Sequence, residues 1–432
     1  MSILFRDIYH IDENFEVQRG DIAVSDGKIA KIGQGSSLAP QGFDEVIDGS
    51  ARLIMPGIVN LHCHVPMTLL RGYGEGLPLQ RWLNEKVFPF EDKMTAEDTY
   101  WGALIGIAEM LVSGVTSFTD MYNFCDEICE AVKLSGIKIN ISRGICEFGD
   151  AGLYGSARQL ESEALIRYRN GACNGRIVVE TALHSEYLTN ERVVREIAEF
   201  AKAQRLGIHL HLSETLSEHV EGVKRRSVTP AKYFEDCGIF ESRVTAAHCT
   251  HITADDIGIL ARHGVTAVHC PSSNLKLGSG VAPVPQMLAA GVNVALGTDG
   301  ASSNNNLNMF EEMHLAGIIH RGVQMNPELT PAAQVIQMAT KNGAAGQGRL
   351  DTGAIAVGNK ADLAVLNLNK PHLTPVHDIV SDVVFAAQSS DVEMTIVDGE
   401  IVYRNGEFLG FDIFEAMEKA AQSAKRIAAE LS

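Results

Sequence analysis

Two histidines two positions apart follow an apolar run: Leu53 to Val59 leads into NLHCH, which places His62 and His64. Residues two apart on an extended strand share a face, so both imidazoles can turn toward one point. Neutral imidazole is a ligand for zinc or ferrous iron. Two ordinary histidines at a surface strand end would explain eight residues equally well, so the question is whether the pattern returns. It does. Later apolar runs end in HLHLSET, AAHC, VHCP and LGTDG, so histidine or aspartate closes run after run. In GIHLHLSET, His209 and His211 share a face, with His209 about 7 Å deeper at a rise of about 3.3 Å per residue. His211, nearer the strand end, is the better ligand, and His209 reads as a buried packing residue. Asp299 in LGTDG adds a carboxylate. His62, His64, His211 and Asp299 together make a mixed nitrogen and oxygen site with room for water.

Glu214 lies three residues past His211. A carboxyl in the loop above a metal can pass protons, although from spacing alone a solvent-exposed loop acid is equally consistent. His248 has no place in the four-ligand set. It reads as a base or an orienting group, or else as a hydrogen-bonded barrel histidine. His269 lines the pocket or is simply covered by the SNLKL loop. Cys125 and Cys129 stand four apart on a helical pattern with no second pair nearby, which argues for packing rather than a metal.

The elements that must carry these residues alternate. Short apolar runs such as VTSFTDM, RIVVETALH, RVTAAHC and VNVALGTDG are separated by helical patterns such as EICEAVKLSG and ERVVREIAEFAKAQR. Strand and helix repeating over about 300 residues predict a parallel sheet covered by helices, closed as a (β/α)8 TIM-like barrel over residues 56–350. An open doubly wound sheet is the competitor, weakened by the lack of a GxGxxG loop after the first strand. In such a barrel reactive side chains collect at the C-terminal strand ends, where the histidines fall. Residues 1–55 and 351–432 look different. Asp-Gly and Asn-Gly turns in DIAVSDGKIAKIGQ and VEMTIVDGEIVYRNGEF mark hairpins, so the two chain ends predict one small β-sandwich. The amphipathic stretch FEAMEKAAQSAKRIAAEL follows as a terminal helix.

Composition narrows the function classes. Among 432 residues, 36 Lys and Arg stand against 54 Asp and Glu, a formal charge of −18. Such a surface disfavours nucleic-acid backbones and anionic membranes as partners, but not a small nucleoside. No apolar run reaches the ~20 residues of a membrane span, and MSILFRDIYHIDENF has no basic region followed by an apolar stretch. Eight cysteines are too sparse for a disulfide framework, so a reduced, cytoplasmic location is expected.

PGIVNLHCH, HLHLSET, AAHC and GTDGASSNN, in this order and across nearly the whole chain, resemble the amidohydrolase superfamily, metal-dependent barrel hydrolases flanked by a β-sandwich. Members with two metals usually carry a bridging lysine on the fourth strand. The matching segment RIVVETALHSEYL has none, which implies one divalent ion. Family habit favours Zn2+, with Fe2+ as the other option. HCHVPMTLLRGYGEGLPLQRWLNEKVFPFEDKMT and HCPSSNLKLGSGVAPV are similar to the branch that deaminates S-adenosylhomocysteine, 5′-methylthioadenosine and related adenosines. That resemblance implies that Glu91 holds the ribose hydroxyls, His184 contacts the purine, and Arg143 lies toward the 5′ side or ribose. It places Arg158 near a homocysteine carboxylate, through a variable stretch of alignment. It further implies that Glu214 donates a proton to ring N1, that Asp299 takes the proton of the attacking water and that His248 orients it. A dimer would be in keeping with the family. Deamination of a free base such as guanine or a pterin, hydrolysis of a triazine, and non-catalytic nucleoside or metal binding are the alternatives.

Overall fold

The computed structural model describes residues 2–146 and 151–431. The chain opens with five strands, β1 (Ile3–Ile11), β2 (Val17–Ser25), β3 (Lys28–Gln34), β4 (Glu45–Asp48) and β5 (Arg52–Pro56). Eight more follow: β6 (Ile58–Cys63), β7 (Val115–Tyr122), β8 (Lys138–Arg143), β9 (Ile177–Leu183), β10 (Ile208–Leu212), β11 (Val244–His248), β12 (Thr266–His269) and β13 (Asn293–Leu296). The last four are β14 (Leu363–Asn367), β15 (Val392–Val397), β16 (Glu400–Arg404) and β17 (Glu407–Phe408).

β6 to β13 pair in sequence order, every neighbour parallel. All residues of β6, β7 and β10 are buried, as strands covered on both faces must be. β13 returns to β6. Asn60 Nδ2 donates to Thr298 Oγ1 at 2.7 Å, its Oδ1 accepts from the Thr298 N–H at 3.0 Å, and the Asp299 N–H reaches the His62 carbonyl at 3.0 Å. Joining the two ends of the strand order makes this a barrel rather than an open doubly wound sheet.

The other nine strands form one sheet in which β14 lies against β5, so both chain ends build it. Its hairpins follow from their turn residues. Asp26-Gly27, Asp398-Gly399 and Asn405-Gly406 all have both central residues at positive φ, the type I′ geometry that fits twisted strands. A Cβ on Gly399 would sit 2.9 Å from the Gly27 Cα, so the N-terminal and C-terminal turn tips pack on each other. Ile3, Phe5, Ile22, Ile54, Leu363 and Ile396 share one core. Lys138, on β8, ties this sheet to the barrel through Asp362 Oδ2 at 2.5 Å and Asp398 Oδ1 at 2.7 Å, with Lys138 and Asp362 both about 1% exposed. The terminal helix, Ile413–Glu430, packs on the barrel helix Ala96–Val112. Among the described residues no helix is long and apolar enough to cross a membrane.

Candidate metal centre and substrate pocket

The strand ends bring four predicted donors to one place. His64 Nε2 lies 3.3 Å from His211 Nε2, and Asp299 Oδ1 lies 3.4 Å from both His62 Nε2 and His64 Nε2. Donors held about 2.1 Å from one tetrahedral ion stand about 3.4 Å apart, so these spacings are those of ligands around a shared cation. Ring orientation points the same way. His64 Nδ1 donates to the Met121 carbonyl at 2.8 Å and His211 Nδ1 to the His184 carbonyl at 2.7 Å. Each ring therefore turns its Nε2 toward the other. His62 Nδ1 is 2.8 Å from His209 Nε2, while its own Nε2 is buried without a hydrogen-bond partner among the described residues. Burial holds His62 down at about 4 and His211 well below the ordinary value, which keeps both in the neutral, ligating form. With each Nδ1 engaged, the Nε2 atoms of His62, His64 and His211 are left facing one another and the Asp299 carboxylate. The residues present fit a divalent metal.

Asp299 is fixed from behind. Its Oδ2 accepts from Ser273 Oγ at 2.6 Å and Ser303 Oγ at 2.8 Å, and its Oδ1 from the Gly300 N–H at 2.8 Å. These bonds hold a non-glycine residue at φ 60°, in the left-handed region that costs free energy. Burial alone would raise its carboxyl. The surrounding His62, His64 and His248 outweigh burial and keep it well below the usual range.

Glu214 and His248 lie beside the cluster. Glu214 is 7% exposed, so it is not a solvent-facing loop acid. Burial pushes its carboxyl up, and Ser279 Oγ donates to Oε1 at 3.3 Å. His248 Nε2 is 3.9 Å from Glu214 Oε2, and its Nδ1 pairs with Asn274 Oδ1 at 2.9 Å. Burial works against its charge, but the carboxylates of Glu214 and Asp299 outweigh it and raise His248. With His62 and Asp299 it also forms a second possible donor group.

A cavity of about 460 Å³ opens over these groups, and Glu91, Arg143, Arg158 and His184 all line it. Glu91 is a buried carboxyl pushed up to about 7 by burial, against the opposing hydrogen bond of Tyr122. Its Oε1 has no hydrogen-bond partner among the described residues. The His184 ring centre is 4.7 Å from that of His211, and burial lowers it to about 3. Arg143 makes an ion pair at the strand end: Nε donates to Glu161 Oε2 at 2.6 Å and Nη1 to the Gly144 carbonyl at 2.8 Å. Arg158 comes from the first turn of the helix Ala157–Arg169. His269 is not in the cavity wall. It is buried with its ring centre 5.2 Å from that of His320. Cys125 and Cys129 are buried on one helix with free thiols, and β9 carries no lysine.

Sequence reading missed the groups that hold these residues in place: His209 behind His62, Ser273 and Ser303 behind Asp299, Asn274 behind His248, and Tyr122 beside Glu91. The serines and Asn274 lie in HCPSSN and GASSNN, but Ser273 reaches Asp299 across 26 residues. Spacing gives no hint of that contact.

The chain matches the Amidohydrolase family over residues 53–402. It is 44% identical over 432 residues to the 5-methylthioadenosine/S-adenosylhomocysteine deaminase of Acetivibrio thermocellus, covering 99% of this chain and 100% of that one. It is 41% identical over 411 residues to the 5′-deoxyadenosine deaminase of Methanothermobacter thermautotrophicus, covering 95% of each. Among solved structures, an adenosine deaminase from Xanthomonas campestris with bound zinc superposes with a TM-score of 0.93 at 30% identity, covering 99% of this chain and 98% of that one.

Proposed function

The chain belongs to the amidohydrolase family and is a hydrolase acting on C–N bonds, and on that premise we propose that it removes the 6-amino group of 5′-substituted adenosines as ammonia and leaves the inosine analogue. Glu91 carries the nucleoside half of this reading. It is a buried carboxyl, with one oxygen unpartnered among the described residues, in the same cavity as the donor cluster. A carboxylate accepts from two adjacent donors, which a ribose 2′,3′-diol supplies; a free base or triazine has no such diol. The names of the two deaminase relatives agree with it.

We assign His62, His64, His211 and Asp299 to one divalent ion, zinc by analogy with the solved adenosine deaminase. Such an ion supplies water acidic enough to act as a nucleophile near neutral pH. The remaining work falls to side chains. Glu214, whose carboxyl burial pushes up, donates in its acid form to ring N1 and makes C6 electrophilic. The Asp299 carboxylate accepts the proton of the attacking water. His248 orients that water, because its Nδ1 bond to Asn274 leaves Nε2 on the Glu214 side. Proton delivery to the amino group lets it leave as ammonia. His184 contacts the purine, and Arg143 and Arg158 face the 5′ substituent.

The test is ammonia release by the zinc-loaded protein from adenosine, 5′-deoxyadenosine, 5′-methylthioadenosine and S-adenosylhomocysteine, with guanine and isoxanthopterin alongside. Turnover of the nucleosides is expected. Release from the free bases alone overturns the assignment of Glu91. Glu214→Gln is expected to keep its metal and lose at least about 10³-fold in kcat, within the range of a general acid.

A further inference from the structure

Glu218 is a buried acid, 7% exposed, that the mechanism above does not use. It stands in the first turn of the helix Leu216–Arg226, where the side chain of N-cap Thr215 already accepts from the Glu218 N–H at 3.1 Å. In a capping box the third helical residue reaches back to the N-cap N–H. Glu218 reaches further. Its Oε1 accepts from the Ser213 N–H at 3.0 Å and its Oε2 from the Glu214 N–H at 2.8 Å. Ser213 has φ 46°, an unfavourable backbone for a non-glycine residue. The two bonds hold that backbone at the point where the chain leaves β10 and Glu214 enters the cavity.

The helix behind Glu218 is itself anchored. Near its C-terminal end, Arg225 and Arg226 both pair with buried Glu186, and Arg226 Nη2 donates to the Glu186 carbonyl at 2.9 Å. Gly222 lets this helix approach closely, since a Cβ there would lie 3.1 Å from Glu186 Oε1. One end of the helix is thus fixed to the loop after β9, and the other grips the peptide that carries the proton donor.

We propose that Glu218 is a positioning residue for proton transfer: by taking both backbone N–H groups of Ser213 and Glu214, it aims the Glu214 carboxyl into the cavity. The inference rests on Glu214 being the proton donor. A glutamine at 218 offers one oxygen and one NH2 group, so it can satisfy only one of the two N–H groups.

The experiment compares wild type, E214Q, E218Q and E214Q/E218Q, all zinc-loaded, with 5′-methylthioadenosine, reading kcat, KM and bound zinc. E218Q is expected to lose about 10²-fold in kcat, the effect of a misplaced catalytic group. KM and zinc content should stay within about twofold, and the double variant should be no slower than E214Q. Wild-type kcat in E218Q alongside inactive E214Q overturns the positioning role alone. So does loss of zinc, or a further slowing of E214Q by E218Q, either of which marks a general structural role. A fully active E214Q overturns the acid assignment and this inference together. If E218Q does not fold, E218D, whose shorter side chain reaches less well, reads the same split.

Discussion

The ionisation of Glu91 makes ligand affinity depend on pH in a calculable way. Burial pushes its carboxyl to about 7, and only the ionised form accepts from two ribose hydroxyls without offering a competing donor. An acid of pKa about 7 is roughly 10% ionised at pH 6 and roughly 90% at pH 8. Apparent affinity scales with the competent fraction, so binding should strengthen about tenfold across that interval and change by about a decade per pH unit below it. Calorimetric titration with the product, 5′-methylthioinosine, measures this without turnover. The 2′,3′-dideoxy product and the Glu91→Gln variant should each give a nearly flat profile. Stability carries the opposite sign. The folded protein keeps the Glu91 proton up to about pH 7 while the unfolded chain releases it near 4.5, so wild type loses stability as pH rises through that window. Glu91→Gln does not share this loss. Equal product affinity at pH 6 and pH 8, or a pH dependence that survives in the dideoxy ligand, would refute the reasoning.

Three further outcomes follow from the groups around the site and the domain contact. Ser273→Ala combined with Ser303→Ala frees Asp299 Oδ2 from both hydroxyls and should weaken zinc binding about 10- to 100-fold in a chelator competition. His209→Leu removes the acceptor for His62 Nδ1 and should weaken zinc to a similar extent, with His209→Gln restoring part of it because the amide oxygen can still accept. Lys138→Met leaves the Asp362 and Asp398 carboxylates without the ammonium between them. Urea unfolding should show a loss of about 3–5 kcal/mol, while kcat of the folded fraction stays unchanged.

The parts of the fold and site visible in the sequence share one property: each is written within a few consecutive residues. The HxH pairs declare a shared strand face. Asp26-Gly27 and Asp398-Gly399 declare their turns, and alternating runs declare strands and helices. The contacts that stayed hidden join distant positions. Ser273 to Asp299, Asn274 to His248, Tyr122 to Glu91 and His209 to His62 are cross-strand or cross-loop pairs fixed only when the barrel closes. Glu218 is an intermediate case. It lies four residues from Glu214, but it looks like an ordinary first-turn acid until its carboxylate is seen to accept backbone N–H groups upstream of the helix.

The hidden contacts explain how an unfavourable cluster is held together. His62, His64 and His211 crowd their Nε2 atoms toward one point, beside a carboxylate. Asp299 and His248 both sit at positive φ. None of this arises from strand propensity, and in isolation each feature opposes folding. What offsets it is a rigid surround: a carbonyl behind His64 and another behind His211, an imidazole behind His62, an amide behind His248 and two hydroxyls behind Asp299. The same arrangement that strains the free protein removes most of the reorganisation a cation would otherwise require on binding. On the ligand assignment proposed above, ion binding and barrel closure are coupled, because the Asp299 backbone that closes β13 onto β6 also places the fourth donor.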